Sequence, residues 1–256
     1  MLYVHDFNSM SRISVEAIDW SILILIVLFL SIGTYERNSF WNDEVELWKD
    51  CVKKSPWKER THHNLAYALL HLEQWNDAEE EFKESLRLNP RYVLSMYNLG
   101  WIFYRKGLMD QAIEHYKKAI RMDSKFSESF YNLGIAYYQK GLYAKAIEAY
   151  KKFLEVKPDY ENGHINLGLA YSKIKRWDEA IQSFQEELTF HPDNFYADGY
   201  LGFGYMELED YPKALTHFRK ALTYSNLADA ERFQKAISSI KAVQKEGRGK
   251  KIDGKD

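Results

Sequence analysis

From residue 59 to residue 228 apolar and polar positions follow a helical period, and the whole pattern returns every 34 residues. A small residue stands at Ala66, Gly100, Gly134, Gly168 and Gly202, with no insertion between copies. An alanine follows at Ala78, Ala112, Ala146, Ala180 and Ala214, and an aromatic four positions later at Phe82, Tyr116, Tyr150, Phe184 and Phe218. Pro90, Pro158 and Pro192 close three of the units, since proline cannot continue a helix. The pattern predicts five units, 59–92, 93–126, 127–160, 161–194 and 195–228, each of two helices. In the third, Ser127–Lys140 is the first helix and Ala144–Val156 the second. Gly141, like Gly107 one unit earlier, stands at the turn, where glycine can take the left-handed conformation that ends a helix. Gly134 and Ala146 let the two helices approach, and Leu133, Tyr137, Ile147 and Tyr150 fill the space around them.

The flanks carry other patterns. Residues 1–17 are polar and mixed, without a clear period. Residues 18–35 hold the uncharged run WSILILIVLFLSIG and one charge, Asp19, near the edge; the whole stretch would be about 27 Å long as a helix, close to the roughly 30 Å of a bilayer core. Trp20 and Tyr35 lie at its ends, where amphipathic rings prefer the interface. A membrane span is therefore expected, in preference to a cleaved signal peptide or a buried core helix. In the junction 36–58, Val45, Trp48 and Val52 share a helical face, with Trp48 one period before Phe82 and Pro56 one period before Pro90. This reads as half a repeat covering the open end of the array. Residues 229–245 place Phe233, Ile237, Ile240 and Val243 on one stripe, which suits a capping helix. Residues 246–256, rich in Gly, Lys and Arg, read as a disordered tail.

Charge and candidate chemistry change this picture little. The net charge is −2, which offers no basic excess for nucleic acid. The single cysteine, Cys51, cannot form an internal disulfide. His62, His63 and His71 form the one histidine cluster, but His63 and His71 stand about 12 Å apart along a helix, too far for one metal ion. They are expected at the surface or in a groove. Glu79–Glu81 and Glu186–Glu187 are expected on solvated outer faces. There is no phosphate-binding loop, dinucleotide turn or nucleophile motif. No catalytic residue, metal site or cofactor is expected.

The small residue of each first helix, the alanine and aromatic of each second helix and the closing proline together resemble the tetratricopeptide repeat family across about 170 residues. Ser124 and Asn226 replace the proline in two units. The resemblance implies an all-α, right-handed solenoid of five helix–turn–helix units, to which the flanking patterns add an N-terminal half-repeat, a C-terminal capping helix and an N-terminal transmembrane helix. It also implies that the first helices line a concave face. The positions that would face inward carry Asn64, Asn98, Asn132, Asn166 and then Tyr200, flanked by Tyr67, Tyr97, Trp101, Tyr104, Tyr131, Tyr138 and Phe203. An asparagine amide offers one donor group and one acceptor, so a ladder of them can pair with the backbone of an extended peptide of any sequence. Rigid aromatics add contact area at low entropic cost. The ladder is similar to that in the tetratricopeptide superhelix of O-GlcNAc transferases; the same asparagines can equally support helix packing. The basic clamp that grips peptide carboxylates in chaperone cofactors is not matched, because the corresponding positions hold Arg60, Leu94, Glu128, Asn162 and Tyr196.

The junction carries a second resemblance. The apolar helix, Tyr35-Glu36-Arg37-Asn38, Trp41, Leu47-Trp48 and Ser55-Pro56 resemble the C-terminal end of transmembrane tetratricopeptide O-mannosyltransferases. That likeness implies repeats on the external or periplasmic side. The basic residues Arg37, Lys49, Lys53 and Lys54 against Arg12 point the other way. The sequence is thus read as a single-pass, membrane-anchored scaffold that binds a protein or peptide through its concave face. An acceptor-binding domain working with a membrane glycosyltransferase, or a self-assembling homo-oligomer, stands as the alternative.

Overall fold

The computed structural model describes Ile24, Leu25, Val27, Leu28 and residues 44–253, with side chains placed through residue 245. Within 44–253 all regular structure is α-helical: α1 (Glu44–Lys54), α2 (Glu59–His71), α3 (Trp75–Leu88), α4 (Val93–Arg105), α5 (Met109–Met122), α6 (Ser127–Gln139), α7 (Tyr143–Leu154), α8 (Gly163–Lys173), α9 (Trp177–Phe190), α10 (Phe195–Glu207), α11 (Tyr211–Tyr224) and α12 (Leu227–Asp253). The helices of the third unit begin and end within two residues of the predicted bounds. The chain divides into two compact units, Met1–Tyr92 and Val93–Asp256.

In the first unit α2 packs against both α1 and α3. Val45 of α1 is buried, and Trp48 half-buried, on the flank of the α2–α3 hairpin. The hairpin core is Ala66, Ala78 and Phe82, none with any exposed area. His62 and His63 are buried as well, at 6% and 7% exposure, which corrects the expectation of surface histidines. His62 Nδ1 lies 2.6 Å from Glu81 Oε2 and Nε2 lies 3.0 Å from the Pro56 carbonyl, so one ring ties α2 to α3 and to the preceding turn.

In the second unit each first helix packs on its own second helix, and each second helix on the next first helix. A small residue beneath an aromatic ring recurs in every hairpin. A Cβ on Gly134 would stand 2.6 Å from the Tyr150 ring, and Gly100, Gly168 and Gly202 meet Tyr116, Phe184 and Phe218 in the same way. α12 packs on α11, with Phe233, Ile237 and Ile240 buried and Val243 half-exposed. Its helix continues to Asp253, through most of the stretch that composition assigns to a tail.

The hairpin turns share one backbone solution. Glu73, Gly107, Gly141, Lys175 and Glu209 stand one period apart, and all five take positive φ, between 58° and 75°. Glycine does this without strain, whereas the three charged residues do not.

Glu187 departs most from its expected place. It is fully buried on α9, not solvated. Its Oε1 accepts from the Asn162 backbone N–H at 2.8 Å and its Oε2 from the His164 N–H at 3.2 Å. His191 Nδ1 lies 3.0 Å away. The carboxylate caps the N-terminus of α8, whose own N-cap residue, Asn162, sits at φ 62° and makes no side-chain cap. Unsatisfied N–H groups and the positive end of the helix dipole explain why an anion is held there.

Among the described residues no helix is long and apolar enough to cross a membrane. The span expected over 18–35 lies outside the described residues except for Ile24, Leu25, Val27 and Leu28, which are helical and exposed.

Two stability measurements follow from the turns and the glycine contacts. Gly134→Ala drives a methyl into the Tyr150 ring and should cost about 1–3 kcal/mol in urea unfolding. Lys175→Gly removes left-handed strain of about 1–2 kcal/mol but adds unfolded-state entropy, for a net gain of about 0.5–1 kcal/mol. A loss of stability in that variant would mean that the turn carries no strain.

Candidate functional site

The predicted binding residues lie on α2, α4, α6, α8 and α10, the first helix of each hairpin. Asn64 and Tyr67 belong to the first unit; the other ten belong to the second. Asn64, Asn98, Asn132 and Asn166 are all half-buried.

Two of the asparagines are tied into a repeating device. Asn132 Nδ2 donates to Tyr97 Oη at 2.7 Å, and Asn166 Nδ2 donates to Tyr131 Oη at 2.8 Å. Each bond joins consecutive hairpins through residues 35 apart. A third polar bridge of the same separation joins Gln139 Nε2 to Tyr104 Oη at 2.5 Å. Gln139 was not singled out from the sequence, although its spacing from Tyr104 equals that of the two Asn–Tyr pairs. The amide oxygens of Asn132 and Asn166 accept no hydrogen bond from the described residues, so each keeps an acceptor open beside its neighbour's phenol.

Aromatic packing fixes these phenols. Tyr97 meets the Phe126 ring edge-on at 5.1 Å, and Tyr131 lies 4.8 Å from Phe153 and 5.1 Å from Tyr160. Burial raises the Tyr131 pKa, and the neighbouring Tyr160 raises it further, so the hydroxyl remains a proton donor at physiological pH. Tyr138 is shifted the same way, chiefly by burial. It stands edge-on to Tyr143 at 5.3 Å. Trp101 carries the Arg105 guanidinium over its ring at 5.1 Å.

At the C-terminal end the row changes character. Tyr200 stacks on Phe184 at 5.4 Å and Phe203 packs edge-on to Phe218 at 4.9 Å. Arg232 of α12 lies over Phe203 at 4.5 Å and near Tyr200 at 6.0 Å. The capping helix therefore covers part of the face on which these two residues lie. No signal in the repeat period could place Arg232 there, because α12 is not a repeat.

In the first unit Tyr67 is 46% exposed and stands edge-on to His71 at 4.8 Å. His63 packs against Phe82 at 5.3 Å and Tyr92 at 5.0 Å. Burial, and secondarily the positive charge of Arg60, lowers the His63 pKa to about 4. Among the described residues no group of three or more His, Cys, Asp or Glu side chains could hold a metal ion.

Stacked helical hairpins, tied by a periodic amide–phenol row, define the class of helical-hairpin repeat proteins. A family model described as "TPR repeat" matches residues 100–141 and again 136–175, and two described as "Tetratricopeptide repeat" match 59–92 and 164–194. The chain belongs to the tetratricopeptide repeat family. No curated protein matches it. Among solved structures, MamA is similar at a TM-score of 0.62 and 24% identity, over 64% of this chain and 90% of MamA. YrrB, a tetratricopeptide repeat protein with an unusual peptide-binding site, reaches 0.64 and 20% identity over 70% of this chain and 92% of its own. MamA of Desulfovibrio magneticus RS-1 reaches 0.61 and 19% identity, over 64% of this chain and 93% of that one.

His63 makes the stability of the fold depend on pH. The unfolded chain takes up a proton near the ordinary value of 6.5, and the folded chain refuses it until about 4. Stability is therefore complete above that window and falls as pH drops through it, by about 2 kcal/mol at pH ~5. Urea midpoints at neutral and mildly acidic pH should show this loss, and His63→Phe should reduce it. An unchanged pH dependence in that variant would assign the effect to other groups.

Proposed function

We propose that this chain is a protein-binding scaffold whose first-helix face grips an extended segment of a partner protein and performs no catalysis of its own. One observation carries the reading. Asn132 and Asn166 spend their amide N–H on a tyrosine of the preceding hairpin and keep their oxygen open. A row of acceptors one repeat apart, set among rigid phenols, matches the backbone N–H groups of an extended peptide and selects for no particular side chain. The same bonds hold consecutive hairpins in register, so the structural and recognition roles of the asparagines belong together. The likeness to YrrB supports a peptide ligand at the level of the fold.

The scaffold is tethered to a membrane by residues 18–35. The uncharged run Trp20–Gly33, in which the described residues Ile24, Leu25, Val27 and Leu28 are helical and more than half exposed, supports this.

Crosslinking in native membranes should identify the partner. Its bound segment, as a labelled peptide, should then bind Asn166→Ala about tenfold more weakly, equivalent to about 1.4 kcal/mol. Helical content, read by circular dichroism, should be retained. Unchanged affinity in a folded Asn166→Ala protein would sink the proposal.

A further inference from the structure

A second surface lies on the other helices. Between α5 and α7, the second helices of consecutive hairpins, runs a groove of about 560 Å³. Phe130, Leu133 and Tyr137 of α6 and Ala149 of α7 form its apolar floor. Lys117, Lys145, Lys151 and Lys152 rim it. Lys117 of α5 and Lys145 of α7 both lie over the Tyr137 ring, at 5.6 and 5.8 Å. No carboxylate lies within ion-pair distance of Lys117, Lys145 or Lys151 among the described residues. Of the two acids in the groove, Glu155 is held by Lys152 at 2.8 Å, which leaves Glu148 against three unneutralised lysines.

The repeat supplies an internal comparison. One period on, a groove of about 460 Å³ occupies the same place between α7 and α9, with Leu167 and Tyr171 where the first has Leu133 and Tyr137. Lys151 stands where the first has Lys117 and lies over the Tyr171 ring at 5.7 Å, so one ammonium group is common to both grooves, and the rest of the rim differs. Glu179 replaces Lys145 and binds Arg176, and Glu186 replaces Lys152 and stands 3.1 Å from His164, which replaces Phe130. The second groove therefore carries carboxylates where the first carries Lys145 and Lys152, and its Arg176 is paired from within by Glu179. The first has the same tyrosine floor but leaves Lys145 as well as Lys117 to a ring face, a weak partner compared with a carboxylate.

We propose that the groove between α5 and α7 docks an acidic segment of a partner protein, with a phenylalanine or leucine side chain of that segment seated between Phe130 and Tyr137 and its flanking carboxylates on Lys117 and Lys145. The occupant follows from charge complementarity and from the apolar floor. This surface is separate from the first-helix face and does not depend on the function proposed for it.

The test uses the full chain. A random linear peptide display library is selected on the wild-type protein and counter-selected on a Lys117→Glu/Lys145→Glu variant; both positions are exposed, so the variant should fold. The peptides retained should carry clustered Asp and Glu around one Phe or Leu. They should bind the variant at least tenfold more weakly in fluorescence anisotropy, and lose affinity as sodium chloride rises from about 50 to about 300 mM. Peptides without acidic character, or none that discriminates the two proteins, would overturn the proposal. So would peptides whose binding falls with Asn166→Ala instead, which would assign them to the first-helix face. Wild-type protein that self-associates while the variant is monomeric would also overturn it, by placing a second copy in the groove.

Discussion

The contact on which the second unit depends is an aromatic ring packed against a helix at a glycine, where no side chain keeps it away. In four successive hairpins the glycine at 100, 134, 168 or 202 receives the ring of Tyr116, Tyr150, Phe184 or Phe218, and a methyl group there would already overlap the ring. This sets how closely the two helices of a hairpin approach. Because each second helix also packs on the next first helix, an error in one spacing would be passed along the stack. The absence of any insertion between copies follows from the same constraint. The first unit solves the problem with Ala66 under Phe82, both fully buried.

Polar groups then fix what apolar packing leaves free. Ring-on-backbone packing controls separation but resists sliding poorly, since dispersion is non-directional. Hydrogen bonds are directional, and the Asn–Tyr and Gln–Tyr bridges join one hairpin to the next at a constant separation. Histidines serve a related purpose at the closing turns. His164 Nε2 meets the Pro158 carbonyl at 2.8 Å, as His62 meets Pro56 three repeats earlier. Glu187 anchors the start of α8 at the one hairpin entry where the chain passes through left-handed Asn162. A buried carboxylate is tolerated there because backbone N–H groups, the helix dipole and His191 surround it.

Two faces with different chemistry result from one repeat. First helices present amides and phenols, which suit the backbone of an extended chain. Second helices, with first-helix side chains between them, form grooves that share a leucine and a tyrosine in the floor and whose rim varies. The rim is free to vary because exposed charges add little to folding stability, so substitutions there cost the fold almost nothing and can be used for recognition. Lys145 against Glu179, and Lys152 against Glu186, are such substitutions over a leucine and a tyrosine that both grooves share.

Most of the fold was legible in the chain. The 34-residue recurrence of Gly134 and its equivalents, and of Tyr150 and its equivalents, identified the hairpins because a small-against-large contact must be encoded at both positions. The left-handed turns were legible at Gly107 and Gly141, but not at Glu73, Lys175 and Glu209, where the fold imposes a conformation that the residue type does not announce. The asparagine row was visible as a pattern, while its bonding to tyrosine was not, since a hydrogen bond between hairpins depends on their stacking offset. Glu187, His62 and His63 were misplaced for a related reason. Residue type says that a charge prefers water, and only the assembled helix ends show that a desolvated carboxylate or imidazole has partners enough to stay buried. The sequence alone thus determined the period, the hairpins and which residues fall on the first helices, because local spacing encodes them. Tertiary structure decided which polar groups pair, which cations stay open and where α12 covers the end of the first-helix row, because those outcomes arise from distances between elements that no local pattern contains.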